Sequence, residues 1–359
     1  MSGMNKITDF IQKERFYILI LILILLFNLA MFFYAGHKAG TKKAKAVAGL
    51  NTREEREKRF NEITLSRKEM TQDALRKNER LVIIFGLVTL LVITVFLSGI
   101  VADIIISAAI LRKRLDIRTL RAPEVRWTVW DVCKVIILFF FFGYMLVIQE
   151  AFWMRVLPFF KSEALRMIIN TSILDSLAIL FVIYFSVVRY KEDLKALGLS
   201  FKNFFKNIFY GIVGYIALVP VLVLILAATL IIINLIKYIP QKQPVVELLL
   251  REKGVAFLAY SSFFAAIFGP IAEELFFRAF MYGAFRKYIG VFWAMILTSA
   301  LFAALHTHTV GFLPIMALGI LLAYLYEKTG TLVSSITVHI THNLCMVFLV
   351  FLVKQTGAF

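Results

Sequence analysis

From Leu81 to Leu111 the chain runs through predominantly apolar residues with Asp103 as its single charge. A bilayer is crossed by a helix of ~20 such residues, so this run is longer than one span requires. It does not stand alone. Apolar runs recur at Phe16–Tyr34, Asp131–Leu157, Arg166–Val188, Gly211–Ile236, Val255–Phe285, Gly290–Leu305, Phe312–Tyr326 and Leu332–Val353. The whole chain of 359 residues is 60% hydrophobic, with mean hydropathy +0.82. No soluble domain of this size is that apolar. The expectation is an all-α, polytopic transmembrane bundle of about eight to nine membrane helices. A polar helical segment separates the first two.

In chain order the sequence divides into four parts. Residues 1–35 form a membrane anchor helix preceded by Lys6, Lys13 and Arg15. Its apolar run exceeds a signal core and no small-residue cleavage site follows, so the anchor is read as uncleaved. Residues 36–80 form a charged stalk. Its N-T-R-E-E-R-E-K-R-F stretch places opposite charges at helical spacing, which suits a solvated helix. Residues 81–130 hold the second span and the basic loop Arg112–Arg126, after which Trp127 and Trp130 are expected at headgroup level. Residues 131–359 form the core. Within it, Asn170 and Asp175 enter the fourth span and Pro220 interrupts the fifth. Val245–Leu250 reads as a short amphipathic piece along the interface.

The formal charge of +17 belongs to loops and their attraction for anionic headgroups. No basic stripe lies on a soluble module, so nucleic acid is not an expected partner. Placing Arg112–Arg126 in the cytoplasm also puts Arg189–Lys206, Arg286, Lys287 and Lys328 there, which gives a cytoplasmic N terminus. Cys133 and Cys345 are the only cysteines and have no metal-type spacing, which argues against a disulfide framework.

The chemistry concentrates in the last third. Ala272–Arg278, A-E-E-L-F-F-R, puts two carboxylates and a guanidinium where hydrocarbon is expected. Ionisable groups inside a span mark function by default. Glu274 and Arg278 are four apart and can pair on one helix face. Such a pair needs further hydrogen bonds to offset desolvation. Glu273 lies about 100° around the helix and is left for chemistry, as a general base whose burial raises its pKa toward neutral. Downstream, His339 and Asn343 are also four apart and project from one face as two donors, a candidate oxyanion pocket. His306 ends the seventh span, four residues after Phe302. His308 and His342 are weaker candidates, one in a loop and one on a different face from His339.

These residues resemble the CPBP intramembrane proteases, the CAAX-protease and bacteriocin-processing group. The family pattern is E-E-x-x-x-R, F-x-x-x-H and H-x-x-x-N. This chain reads Glu273-Glu274-Leu275-Phe276-Phe277-Arg278, then Phe302 to His306, then His339-Ile340-Thr341-His342-Asn343. The flanks agree at Ile271-Ala272, at Leu197–Ser200 and along L-A-Y-L-Y-E-K-T-G-T-L-V-S-S-I before His339. The resemblance runs from about Val132 onward. It implies a glutamate-dependent intramembrane endopeptidase. Carried over, Glu273 activates a water with help from His306. His339 and Asn343 hold the oxyanion, and Glu274 and Arg278 support the motif helix. No motif position departs from the pattern.

Two rival functions remain from other classes: a non-proteolytic scaffold or bacteriocin-immunity-type protein, and a proton-coupled transporter. The intact Glu, His, His and Asn set weighs against the first. The absence of an internal repeat in the sequence weighs against the second. No cofactor is expected. Zinc is the alternative, since a Glu and two His make a three-ligand site, with His339 and His342 spaced i, i+3. The usual H-E-x-x-H is missing. The expected partners are membrane lipid, a peptide or protein substrate that could itself be membrane-anchored, and a protein at the stalk. The expected location is a bacterial plasma (inner) membrane, as an integral multi-pass protein.

Overall fold

The structure is a computed structural model and describes residues 2–47, 53–112, 122–157, 162–239, 243–306 and 310–356. Most of the basic loop, Pro158, Pro240, Lys242 and His308 lie outside the described residues. The described chain is helical, with no strand among the described residues. Among the described residues, seven helices are long and apolar enough to cross a membrane: Glu79–Leu111, Val129–Val156, Glu163–Arg189, Phe204–Ile236, Val255–Leu305, Phe312–Thr329 and Leu332–Lys354. The protein is an integral, multi-pass membrane protein. The expected helical bundle with a polar helical segment near its start is therefore found.

The elements in order are α1 (Ser2–Val47), α2 (Arg53–Lys77), α3 (Glu79–Leu111), α4 (Val129–Val156), α5 (Glu163–Ile183), α6 (Phe204–Ile236), α7 (Pro244–Arg251), α8 (Val255–Phe263), α9 (Gly269–Glu274), α10 (Gly283–Leu305), α11 (Phe312–Thr329) and α12 (Leu332–Lys354). Three π-helical turns are inserted among them, at Tyr184–Arg189, Phe264–Phe268 and Leu275–Tyr282. Two of the three flank α9, which carries the glutamate pair. Such π turns arise where a residue is added to a helical ladder, and they recur at functional sites.

The chain divides into two compact units, 1–56 with 128–181, and 57–127 with 182–359. The stretch 131–181, grouped with the core by sequence, falls in the first unit. In that unit α1 packs along α4. The contact is an ionic one: Lys134 Nζ lies 2.8 Å from Glu14 Oε1 and 3.6 Å from Asp131. Lys134 is 1% exposed and also lies over the rings of Tyr17 and Trp130. Tyr144 donates to Asn28 further along the same pair of helices. The start of α4 is closed by a capping box, Thr128 with Asp131, which satisfies two of the orphan amides of the first turn. Asn170, expected inside a span, donates to Glu150, which also pairs with Arg166.

In the second unit α6, α11 and α12 pack around buried Leu318, Leu322, Leu325 and Val338, with Tyr215, Leu218, Leu321 and Tyr324 against them. Helix α3 lies on α6. A Cβ at Gly99 would sit 2.4 Å from the Ile216 carbonyl, so only glycine permits that approach. Pro220 does not interrupt α6, which stays helical from Phe204 to Ile236. Its ring lies directly against Gly99; the neighbouring helix covers the proline rather than the chain breaking at it. A sharp break falls at Gly290 (φ 74°, ψ 171°) within α10. That region is closed to residues with a side chain, and it separates the sixth and seventh apolar runs as the sequence reading expected.

The interface piece also forms. Helix α7 packs against α12, and Lys354 donates to the carbonyls of Leu249 and Glu252 at its end. Trp127 differs from expectation. Rather than sitting at headgroup level it is fully buried, stacked on Phe280 at 5.3 Å, with Nε1 donating to the Phe280 carbonyl at 2.8 Å. A buried indole needs an acceptor, and the π turn of the motif helix supplies one.

Candidate active site

The acids are delivered by α9, a six-residue helix, Gly269–Glu274, held between two π turns. Glu274 is completely buried. Its Oε1 accepts from Arg278 Nη1 at 2.8 Å and lies 2.9 Å from His339 Nδ1. The expected Glu274–Arg278 pair is present. The further hydrogen bonds that such a pair needs come from His339 and from the Gly319 carbonyl, 3.4 Å from Arg278 Nη2. The guanidinium also lies 4.4 Å over the Phe302 ring, a cation–π contact in a desolvated setting.

Glu273 leaves the helix on another face, and its side chain is 32% exposed. Its Oε2 comes within 3.5 Å of His339 Nε2. The two adjacent carboxylates thus meet one imidazole from its two nitrogens. The result is a line of groups, Arg278, Glu274, His339 and Glu273, in which only the last is open. In such a line the carboxylate at Nδ1 orients the ring and sets its tautomer. The other ring nitrogen lies beside the exposed carboxylate. One atom is left over: Glu274 Oε2 is buried with no hydrogen-bond partner among the described residues.

His306 closes α10. Its Nδ1 lies 2.9 Å from the Phe302 carbonyl, so an Nδ1–H donates there and leaves Nε2 as an acceptor. No hydrogen bond joins His306 to Glu273 among the described residues. The two histidines are linked instead through Phe302, whose ring lies 4.7 Å from that of His306 and 5.6 Å from that of His339. The phenylalanine of the F-x-x-x-H motif is therefore a hub, with Arg278, Phe277, His306 and His339 all against its ring.

Asn343 is placed on α12 near His339, as its spacing requires. Its Nδ2 donates to the Ala265 carbonyl at 2.8 Å. That carbonyl lies in the π turn Phe264–Phe268, so Asn343 ties α12 to the segment entering α9. One amide hydrogen is used by the fold and one remains. His342 meets Tyr215 of α6, with 3.2 Å between Nδ1 and the hydroxyl. Nothing in the sequence marks Tyr215, which reads as one aromatic among many in an apolar span.

A second polar cluster closes the other end of the motif helix. Glu327 is fully buried and accepts from Tyr282 at 2.6 Å and from Arg286 Nη1 at both oxygens. Arg286 Nη2 donates to the Ala122 and Pro123 carbonyls, and Lys287 to those of Val125 and Trp127. Residues 122–127 are thereby strapped onto the helix. Among the described residues no group of three or more His, Cys, Asp and Glu is placed to hold a metal ion.

Residues 255–345 match the family described as Type II CAAX prenyl endopeptidase Rce1-like. That segment runs from α8 through Asn343 and includes every candidate site residue. The segment is similar to a CPBP-type domain. A curated relative, "Putative membrane peptidase YdiL" of Bacillus subtilis (strain 168), is 31% identical over 85 residues. Those residues are 24% of this chain and 35% of the relative, so the match spans about a third of that protein. No solved structure matches the chain. In this matched segment the pair of acids, the two motif histidines and Asn343 come from α9, α10 and α12, and Phe302 and Arg278 bind the three elements together.

Proposed function

We propose that the protein is an intramembrane endopeptidase of the CAAX-protease type, hydrolysing a peptide bond with a water activated by Glu273. The observation that carries this reading is the line Arg278–Glu274–His339–Glu273. A buried cation and carboxylate orient an imidazole, and the imidazole lies beside the one carboxylate that is open to a substrate. That is the pattern of an oriented general base.

In the reaction, the water oxygen adds to the substrate carbonyl carbon while its proton passes to Glu273. The carbon–nitrogen bond then breaks as that proton moves to the departing amine. Asn343 offers its second amide hydrogen to the developing oxyanion, and His306 offers Nε2 to the water. His339 lies beside Glu273. We assign no cofactor. His339 Nδ1 is hydrogen-bonded to Glu274 and its Nε2 lies 3.5 Å from Glu273 Oε2, so both ring nitrogens are directed at carboxylates rather than at a metal position. Elemental analysis of the purified protein tests this, and stoichiometric zinc would overturn it. The substrate is a peptide or protein reaching the bilayer, and the charged helix α2 is the element available to recruit it. Deleting residues 53–77 tests that role: cleavage falls while the membrane core stays folded, and unchanged turnover removes α2 from recruitment.

The deciding experiment compares wild type with Glu273→Gln over a quenched peptide library in detergent. The substitution keeps shape and removes the base. Turnover is expected to fall by about 10³-fold, with the unfolding temperature unchanged. Equal turnover would remove Glu273 from the mechanism. The scaffold reading predicts a cellular phenotype rescued equally by both proteins.

A further inference from the structure

Helix α6 is entered through a run without an acidic residue, Gly198–Tyr210, in which lysines alternate with phenylalanines. Phe201 and Phe205 are 80% and 83% exposed. Lys202 and Lys206 follow them in sequence, are exposed as well, and make no ion pair among the described residues. Lys206 Nζ lies 5.6 Å from the centre of the Tyr210 ring. The acids of the preceding loop are engaged elsewhere, Glu192 with Arg126 and Asp193 with the Lys195 amide. A second basic and aromatic run, Arg286–Trp293, differs on this point. There Lys287 is committed to the carbonyls of Val125 and Trp127.

The run is fixed in place. Asn203 takes a left-handed φ of 55°, which asparagine tolerates better than most residues. Buried Asn207 donates through Nδ2 to the Lys202 carbonyl at 3.0 Å. The Gly198 carbonyl accepts from the Leu332 amide, and the Ser200 carbonyl from Thr331 Oγ1, both at 2.9 Å. Thr331 is the residue whose side chain caps α12. At Gly211 a Cβ would come within 2.7 Å of the Ser334 carbonyl. The run is thus backed by the first turn of α12, the helix that carries His339 and Asn343. Exposed Phe209 and Ile212 continue its apolar face into the span, so the bilayer covers that face. At the end of a span, lysines reach lipid phosphates while aromatic rings enter the apolar boundary. We propose that Phe201, Lys202, Phe205 and Lys206 bind the phosphate headgroup of an anionic membrane lipid, and that its occupation holds the start of α12. The site stands apart from the peptidase reading; only its bearing on turnover rests on it.

The test titrates the full-length protein in detergent with dioleoylphosphatidylglycerol, and separately with dioleoylphosphatidylcholine, and reads bound lipid by native mass spectrometry. Each lysine near an anionic lipid contributes about fivefold in affinity. The anionic lipid is therefore expected to bind about 25-fold more tightly than the zwitterionic one. Lys202→Gln with Lys206→Gln erases that margin, while Phe201→Ala with Phe205→Ala weakens both lipids alike. Lys237→Gln with Lys253→Gln, which removes two charges from the other end of α6 and from the turn before α8, keeps the margin. Equal binding of the two lipids by wild type, an unchanged margin without Lys202 and Lys206, or the same loss without Lys237 and Lys253 overturns the site. Inorganic phosphate should displace no bound lipid; displacement would make this a site for a soluble anion and overturn the lipid assignment. The hold on α12 is read by amide hydrogen exchange at Leu332. Where opening of its bond to Gly198 releases the lipid, exchange slows by about 100-fold at lipid roughly 100 times its Kd. The variant lacking Lys202 and Lys206 shows no such slowing. Unchanged exchange in wild type with lipid bound overturns the coupling to α12. Glu273→Gln is expected to bind phosphatidylglycerol as wild type does, so failure of the peptidase reading leaves both measurements standing.

Discussion

Two buried carboxylates anchor the motif helix, and they are treated very differently. At one end Glu327 has both oxygens filled, by Tyr282 and Arg286, and its helix also holds the strap 122–127 through its backbone. At the other end Glu274 crowds Arg278 and His339 onto one oxygen and leaves the other bare. Its neighbour Glu273 stays open. A saturated buried ion cluster satisfies every charge and has nothing left to offer a substrate. An unsaturated one retains the capacity to bind and to exchange a proton. The contrast separates the part of the helix that holds the fold from the part proposed to do chemistry, although both are carboxylate–guanidinium pairs at similar distances.

The contrast can be broken by swapping the consequences. The largest effect is expected from Glu273→Gln, about 10³-fold in turnover with no loss of stability. Glu327→Leu should behave in the opposite way. It leaves a part-buried Arg286 and a buried Tyr282 hydroxyl without their acceptor, at a cost of about 3 kcal/mol or more. Thermal or denaturant unfolding in detergent checks this. The folded fraction should keep kcat within about fivefold; lost turnover at unchanged stability would end the distinction.

Arg278→Gln sharpens the comparison because Arg278 belongs to both roles. Removing the charge leaves Glu274 buried beside His339, so stability is expected to fall by about 3 kcal/mol and turnover to fall with it. A smaller effect, about 1 kcal/mol, is expected for Trp127→Phe, which removes the indole hydrogen bond from a Phe280 carbonyl that still accepts from the Gly283 amide and keeps the stacked ring. Its unfolding temperature should drop while kcat stays near wild type.

The smallest effect lies outside the spans, in the turn between α7 and α8. Glu252 accepts from the amides of Gly254 and Lys253, and these bonds hold its carboxyl below the usual carboxylate range. A depressed folded pKa means the stabilisation is present at neutral pH and is lost as pH falls through that lowered value. The amide proton shifts of Lys253 and Gly254 should follow this acid titration and stay flat in Glu252→Gln.

Much of this was legible in the residues. An apolar run has to cross the membrane as a helix, so the helical bundle could be read directly; the sequence counted about eight to nine spans, whereas seven helices qualify among the described residues, with the runs before and after Gly290 merged in one of them. Spacing on a helix is local geometry, so the Glu274–Arg278 pair and the shared face of His339 and Asn343 followed from counting. The same counting placed Glu273 on a separate face, away from Arg278. It could not show that both acids reach His339, because that depends on a ring delivered from α12, far along the chain. Nor could it find Phe302 as the hub, Tyr215 as a partner of His342, or the burial of Trp127 under the motif helix. The π turns on either side of α9 were hidden for the same reason. They add a residue to the ladder where packing against α12 rewards it, and Asn343 binds the Ala265 carbonyl that one of them presents.

The sequence by itself determined that this protein is a bundle of membrane helices with acids, histidines and an asparagine in its last spans. Hydropathy and helical spacing are properties of neighbouring residues and need no partner. Only the tertiary structure decided which of those groups is saturated and which is left open. Saturation depends on where hydrogen bonds from separate helices end, and those contacts join residues such as Glu274 and His339 that lie on different helices.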